Sequence, residues 1–511
     1  MTVAIGGELE AAEVVAVAGG APVSFGDDAR ARVRSARAVI DDAVAGGETI
    51  YGVTTGFGAL AHTRVEPSQA STLQHGIVRS HATAVGVPLP RDEARAMLLL
   101  RAHVLALGHS GVRPEIVDLM VSMLNEDVIP AVPQQGSLGA SGDLAPLANL
   151  ALPLIGHGEV LSPEGGVEPA AGALGRAGLA PITLEAKEGL ALVNGTQGML
   201  AIGILATERA AMLARTADVV AAMTIEASLG TDRPFDERLQ KLRPHPGQMV
   251  SASNLRRLLA DSPILASHRD SHHLVQDAYS LRCAPQVHGA TRDALAYACE
   301  VLRIEANSVS DNPIVLVDGG SGEVVSGGNF HGQPVAVALD AAATALVSLA
   351  SISERRLYRL LDEHLSNGLP PFLVHGSGLN SGFMLVQYTA ASLVSESKSL
   401  AHPPSVDSIP SSAGQEDHVS MGMTSARHAR EVLANAETVI ALEALGAAQA
   451  LDLRAPLQPG PATRAAHAAI RERVPFFEAD REFGPDIAQA VSVVRGGRLV
   501  AAAETASGPV D

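Results

Sequence analysis

The chain has 511 residues, 47% of them hydrophobic and 18% charged, with a formal net charge of −18. That composition can bury a large core and excludes a disordered chain. With no Trp, 3% aromatics and an acidic balance, it also lacks the cationic surface and stacking platforms of a nucleic-acid binder.

The first basic residue is Arg30, so no charged n-region of a secretory signal is expected. Asp27-Asp28 is expected to cap a helix carrying Val33, Ala36, Val39, Ile40 and Val44, stopped by Gly46-Gly47. Tyr51-Gly-Val-Thr-Thr-Gly-Phe-Gly58 is too glycine-rich for a helix and reads as a loop. A second helix is predicted from Arg91 to Leu107, ending at Gly108. Ser162 to Pro181, dense in Gly, Pro and Ala, reads as a surface excursion or boundary.

Beyond Asn194 the texture changes. Helical spacing of Ala, Leu and Val runs through Met199–Leu229, Gly289–Val309, Pro334–Ser366, Ser381–Leu400 and Ser420–Leu453. Matching stops follow, such as Gly230, Asp311-Asn-Pro313 and Pro403-Pro404. Ile314–Val317 and Glu323–Ser326, joined by a Gly-rich turn, suggest a small hairpin. The expected fold is mainly α: an N-terminal domain of short helices and loops over residues 1–195, then a bundle of long helices and a C-terminal helical region over 196–511, with a few short strands. No apolar run is expected to reach the length of a membrane span. Cys283 and Cys299 cannot form a disulfide framework, which suggests a reducing, cytoplasmic setting.

Gly136-Ser-Leu-Gly-Ala-Ser-Gly-Asp-Leu-Ala-Pro146 is the stretch that carries chemistry. A nucleophile elbow needs G-x-S-x-G, but Asp143 stands where the last Gly belongs. A phosphate loop needs a Lys after its glycines, and none follows here. A turn leading into a helix remains open, as does backbone cyclisation. In the latter, the Gly142 nitrogen closes on the Ala140 carbonyl carbon and Ser141 loses its hydroxyl, leaving 4-methylidene-imidazol-5-one (MIO). This needs small residues at 140 and 142 and a removable β-hydroxyl at 141.

Gly139-Ala-Ser-Gly-Asp-Leu-Ala-Pro146 resembles the signature of the aromatic amino acid ammonia-lyase family, in which Ala-Ser-Gly becomes MIO. The Tyr51–Gly58 stretch, Val193-Asn-Gly-Thr196, Gln276-Asp-Ala-Tyr-Ser-Leu-Arg-Cys-Ala-Pro-Gln286, Gly328-Asn-Phe-His-Gly332 and Gln415-Glu-Asp-His-Val-Ser-Met421 resemble further family blocks in the expected order. The resemblance implies MIO from Ala140, Ser141 and Gly142 with no external cofactor, and a homotetramer with active sites shared between subunits. It also implies Tyr51 as the β-proton base, Arg282 as the carboxylate clamp, and Tyr279 near the MIO and the amine. Asn194 and Gln276 then hold the carboxylate or the ring carbonyl, and Phe330 shields the pocket.

Within the family, His81 in Ser80-His81-Ala82 and Glu416 in Gln415-Glu-Asp-His418 resemble the histidine-acting pattern. Phenylalanine types carry an apolar side chain at the first position, and phenylalanine and tyrosine types read Asn-Gln-Asp at the second. The implied reaction is deamination of L-histidine to trans-urocanate and ammonia, the first step of histidine degradation. A tyrosine ammonia-lyase or an MIO-dependent aminomutase is the alternative, and Glu416 argues against the tyrosine type. For Tyr51 to serve as a base, its phenol has to be lowered by positive charge or helix N-termini. The glycines around Tyr51 would permit a mobile lid, and Asn312 is a weaker candidate with a helix-end turn as the competing reading. His272, His273, His288, His331 and His418 match no metal-ligand spacing, so no metal is expected, and Met421 and Met423 read as packing. Neither a nucleic-acid nor a membrane partner is expected.

Overall fold

A computed structural model describes residues 2–271, 273, 275–318 and 321–511. Helices dominate it, and the strands form four two-stranded pairs among the described residues. By backbone proximity the chain forms two compact units. The first comprises residues up to Leu205 with Cys299–Asp340 and Pro403–Arg427; the second comprises Ala206–Ala298, Ala341–His402 and His428–Asp511.

In the first unit the helix Arg91–Ala106 is buried on every side from Glu93 onward. Asp92 and Glu93 in its first turn complement the helix dipole, and leucine and alanine fill its length. It packs against Ala11–Ala18, Asp27–Ala45 and Pro114–Asn125. The helix Asp27–Ala45 starts one residue after its N-cap, Gly26, so the two aspartates sit in the first turn rather than at the cap. Its Ala36, Ile40 and Ala43 form one cluster with Ile50, Val53, Ala70, Ala186 and Val315, which anchors the loop around Tyr51. The helices Ala70–His81, Leu144–Ala151 and Glu188–Val193 pack on one another and carry the candidate site at their ends.

The five long helices lie close to where spacing placed them: Gln197–Ala227, Ala284–Ala306, Gln333–Leu361, Met384–Leu400 and Gly422–Leu453. The hairpin pairs Ile314–Asp318 with Ser321–Val325; Gly319 and Gly320 of its expected turn lie outside the described residues. Ser162–Pro181 is more ordered than its composition suggests. A hairpin closes there, with Ser162 N–H donating to the Gly166 carbonyl at 3.0 Å. The helix Ala170–Arg176 then buries Ala170, Ala173 and Leu174.

One expectation needs correcting. Gln333–Leu361 is long and apolar enough to cross a membrane, because a window average tolerates the single Asp340 that interrupts the run. Within the protein, 61% of that window is buried, as in a core helix of a globular fold. In the second unit, one group of buried charges is paired. Arg356 forks onto Glu443 at 2.5 and 2.8 Å, and His288 bridges Arg356 to Asp218, which also binds Arg292 at 2.8 Å. That network accounts for His288 as a satisfied core residue.

Candidate active site

The Gly139–Asp143 segment folds back on itself. Gly139 and Gly142 pair across the turn, and Ser141 takes a left-handed φ of 51°, unusual for a residue with a side chain. Gly142, at φ 76°, runs parallel to Gly195: Asp143 N–H donates to the Gly195 carbonyl at 2.7 Å, and Gly195 N–H donates to the Ser141 carbonyl at 3.2 Å. A Cβ on Gly142 would overlap the Gly195 carbonyl, so only glycine fits this approach.

Asp143, fully buried, opens the helix Leu144–Ala151 and fastens the turn from the other side. Its Oδ1 accepts from Ser137 Oγ at 2.8 Å, and its Oδ2 accepts from Met199 N–H at 2.8 Å in the first turn of Gln197–Ala227. Burial pushes this carboxyl up to about 6, against the pull of those donors.

Behind the turn lies a buried polar cluster. Asn194 Nδ2 donates to Asp311 Oδ1 at 3.2 Å and to the Asn312 carbonyl at 2.8 Å. Lys187 donates to Asp311 Oδ2 at 2.7 Å, and Arg101 donates to the Asn194 carbonyl at 2.8 Å. Asn312 Oδ1 accepts from Gly327 N–H, a bond that ties a loop. Sequence reasoning missed Arg101, Lys187, Asp311 and the partners of Asp143. The one available signal was a charge in the middle of the apolar run Met97-Leu-Leu-Leu-Arg101-Ala-His-Val-Leu-Ala106.

A cavity of about 270 Å³ opens on the turn, its lining including Ser80, His81, Ala140, Gly142 and Ser411. Ser411 Oγ donates to Glu416 Oε2 at 2.9 Å, which holds the carboxylate at this rim. Ser80 Oγ meets His81 Nδ1 at 3.0 Å, and the Phe57 ring packs edge-on against His81 at 5.1 Å between centroids. Burial lowers the His81 imidazole, with the Ile77 carbonyl and the charge of Glu416 opposing. The Tyr51 oxygen accepts Gly58 N–H at 2.9 Å, and Ala59 N–H donates to Ser412 Oγ at 3.1 Å, joining this loop to the Glu416 segment. The expected lowering of the Tyr51 phenol is not met. Burial raises it, Gly58 N–H partly offsets that, and the charge of Glu416 adds to the rise. Phe330 is half-buried, and next to it His331 donates toward the His418 carbonyl at 3.1 Å with the two imidazoles stacked.

Gln276, Tyr279 and Arg282 belong to the second unit and not to this cluster. Gln276 lines a cleft of about 540 Å³ there, with Thr231, His268, His273 and Asp277. Tyr279 is 72% exposed, with the Arg282 guanidinium 4.6 Å above its ring. His272 lies outside the described residues. Met423 is buried and packs in the core as expected.

Residues 9–472 match the family model described as aromatic amino acid lyase. The chain is 56% identical over 499 residues to a histidine ammonia-lyase of Sorangium cellulosum, covering 96% of each chain. Among solved structures, histidine ammonia-lyase from Trypanosoma cruzi superposes with a TM-score of 0.91 at 43% identity, over 99% of this chain and 95% of that one. A tyrosine aminomutase from Streptomyces globisporus gives 0.93 at 40%, over 99% of both. The backbone is thus shared across substrates and outcomes, and the side chains of the site have to separate them.

Proposed function

Since this chain belongs to the aromatic amino acid lyase family, we propose that it deaminates L-histidine without oxidation to trans-urocanate and ammonia, in the cytoplasm, where its two cysteines stay unlinked by a disulfide. The observation that carries the substrate is Glu416, a carboxylate held by Ser411 at the rim of a cavity that His81, Ala140 and Gly142 also line. An imidazole brings N–H groups that an apolar pocket would strand, and a carboxylate satisfies them.

The residues fit MIO formed from Ala140, Ser141 and Gly142: the turn is left-handed at Ser141 and closes against Gly195 with no room for a side chain at 142. Once formed, that group supplies an electron-poor alkene that makes the substrate amine a better leaving group. Glu416 accepts an imidazole N–H or takes up its proton, and His81 orients the ring. Arg282 clamps the carboxylate bidentately, with Gln276 and Asn194 as supporting amides. Tyr279 stands near the amine, and Phe330 keeps water from it. Tyr51 receives the β-proton. Because its phenol is raised within this chain, the positive charge that readies it comes from the substrate ammonium or from another subunit. In a homotetramer, Gln276, Tyr279 and Arg282 of a neighbouring copy reach the turn.

Incubation with L-histidine, L-tyrosine and L-phenylalanine, followed by ultraviolet absorbance, tests the substrate. Faster turnover of tyrosine or phenylalanine would overturn the roles given to His81 and Glu416. Intact mass tests the electrophile, since loss of two waters lightens the chain by about 36 Da.

A further inference from the structure

The peptide that braces the turn is itself held by a buried cation. The Asn194–Gly195 peptide unit has one carbonyl and one N–H. The N–H donates to the Ser141 carbonyl at 3.2 Å, and the carbonyl accepts from Arg101 Nη1 at 2.8 Å. Guanidinium, peptide and Ser141 carbonyl therefore form one unbroken chain of hydrogen bonds, in which each bond polarises the next.

Arg101 is fully buried in a stretch that is apolar but for His103, an expensive place for a charge. The same Nη1 also meets Gln197 Oε1 at 2.8 Å, and Gln197 is tied in turn to Ser310 Oγ at 2.8 Å. Nε and Nη2 have no partner among the described residues, and the nearby Asp311 is engaged by Lys187 and Asn194. The cation is pressed against the peptide closely enough that a Cβ at Gly195 would lie 2.5 Å from Nη1. Burial lowers Arg101 only to about 10, so it stays charged at neutral pH.

The chemistry at Ser141 explains what such a charge is for. When Ser141 loses water, its Cα–H bond breaks and that electron pair becomes the second bond of Cα=Cβ. The Cβ–Oγ bond breaks as well, and the proton and hydroxide leave as one water, with no oxidant or reductant. While the Cα–H bond loosens, negative charge builds on the adjacent carbonyl oxygen of Ser141. The Gly195 N–H is aimed at that oxygen, and Arg101 sharpens it from the far end of the same peptide.

We propose that Arg101 is a positioning residue for maturation of the turn: it fixes and polarises the Asn194–Gly195 peptide, whose N–H stabilises charge developing on Ser141 as Ser141 dehydrates. The proposal rests on the reading that Ala140, Ser141 and Gly142 cyclise.

The test follows intact mass of the full-length chain over time after a short pulse of synthesis, for wild type, Arg101→Gln, Arg101→Lys and the control Arg95→Gln. Arg95 lies on the same helix, 4% exposed, with its guanidinium on the Val17 and Leu124 carbonyls and Asp127. Arg101→Gln is expected to lose the 36 Da mass at least about tenfold more slowly than wild type, the scale of losing a charged donor near an oxyanion. Arg101→Lys, which keeps the charge but not the fork, is expected to fall between them, and it decides the matter if Arg101→Gln does not fold. Arg95→Gln should lower the melting temperature and leave the maturation rate unchanged. Wild-type rates in both Arg101 variants, or equal slowing by Arg95→Gln at equal loss of stability, overturn the proposal. A wild-type chain that never lightens would instead overturn the cyclisation reading beneath it.

Discussion

Replacing Gly142 by Ala adds one methyl group at the tightest point of the turn. At φ 76° a residue with a Cβ is strained by about 1–2 kcal/mol. The new Cβ would overlap the Gly195 carbonyl carbon and oxygen, with Gly195 Cα also only 3.1 Å away. Relief requires the two segments to part by about an ångström, which breaks the 2.7 Å bond from Asp143 N–H and stretches the 3.2 Å bond to Ser141. Each bond is worth about 1 kcal/mol net, and more once its groups are buried and unpaired. Together these give a loss of about 3–5 kcal/mol in stability. Gly175, in the helix Ala170–Arg176, is the control: outside its chain neighbours and its own helix backbone nothing lies within 4 Å of where its added methyl group would sit, and Gly175→Ala should gain about 0.5–1 kcal/mol. Urea unfolding monitored by circular dichroism measures both, and intact mass reports whether the turn still loses water. A Gly142→Ala protein within about 1 kcal/mol of wild type, lightened to the same extent, would refute the account of the turn.

Asp143 makes stability depend on pH. Its carboxyl is raised from 3.8 to about 6 in the folded state, so its favourable contribution is complete below pH 3.8 and lost as pH rises through about 6. Relative to Asp143→Asn, the wild type should lose about 2 kcal/mol between about pH 4.5 and 7.5; parallel urea midpoints across that window would contradict it. Glu416→Gln should lower kcat/KM for histidine by about 10–100-fold, the scale of one charged hydrogen bond. Because Glu416 raises both neighbours, the same change should shift the Tyr51 and His81 limbs of the pH–rate profile downward, and an unmoved profile would separate Glu416 from them. Ser141→Ala should keep the full unmodified mass and lose turnover with no change in melting temperature, checked by mass spectrometry and thermal unfolding.

The turn was legible because it is written in short-range pattern. Glycines at 139 and 142 around Ser141 announce a turn that ordinary residues cannot make, and both left-handed angles follow. The spacing of alanine and leucine located five long helices to within a few residues, since a helix is decided by neighbours three and four apart. The direction of the Tyr51 shift was not legible: it depends on burial and on Glu416, which approaches from 365 positions along the chain. Arg101 looked only like a charge out of place, because the carbonyl it holds lies 93 residues away.

The sequence by itself determined which segments turn and which coil into helices, matters settled by backbone sterics and local periodicity. Only the tertiary structure decided that Cys299–Asp340 and Pro403–Arg427 fold with the N-terminal stretch, which brings Asp311 under Asn194 and Glu416 to the rim beside His81. Those meetings are set by burial of apolar helix faces and by the pull of buried polar groups toward partners, conditions that no single segment contains.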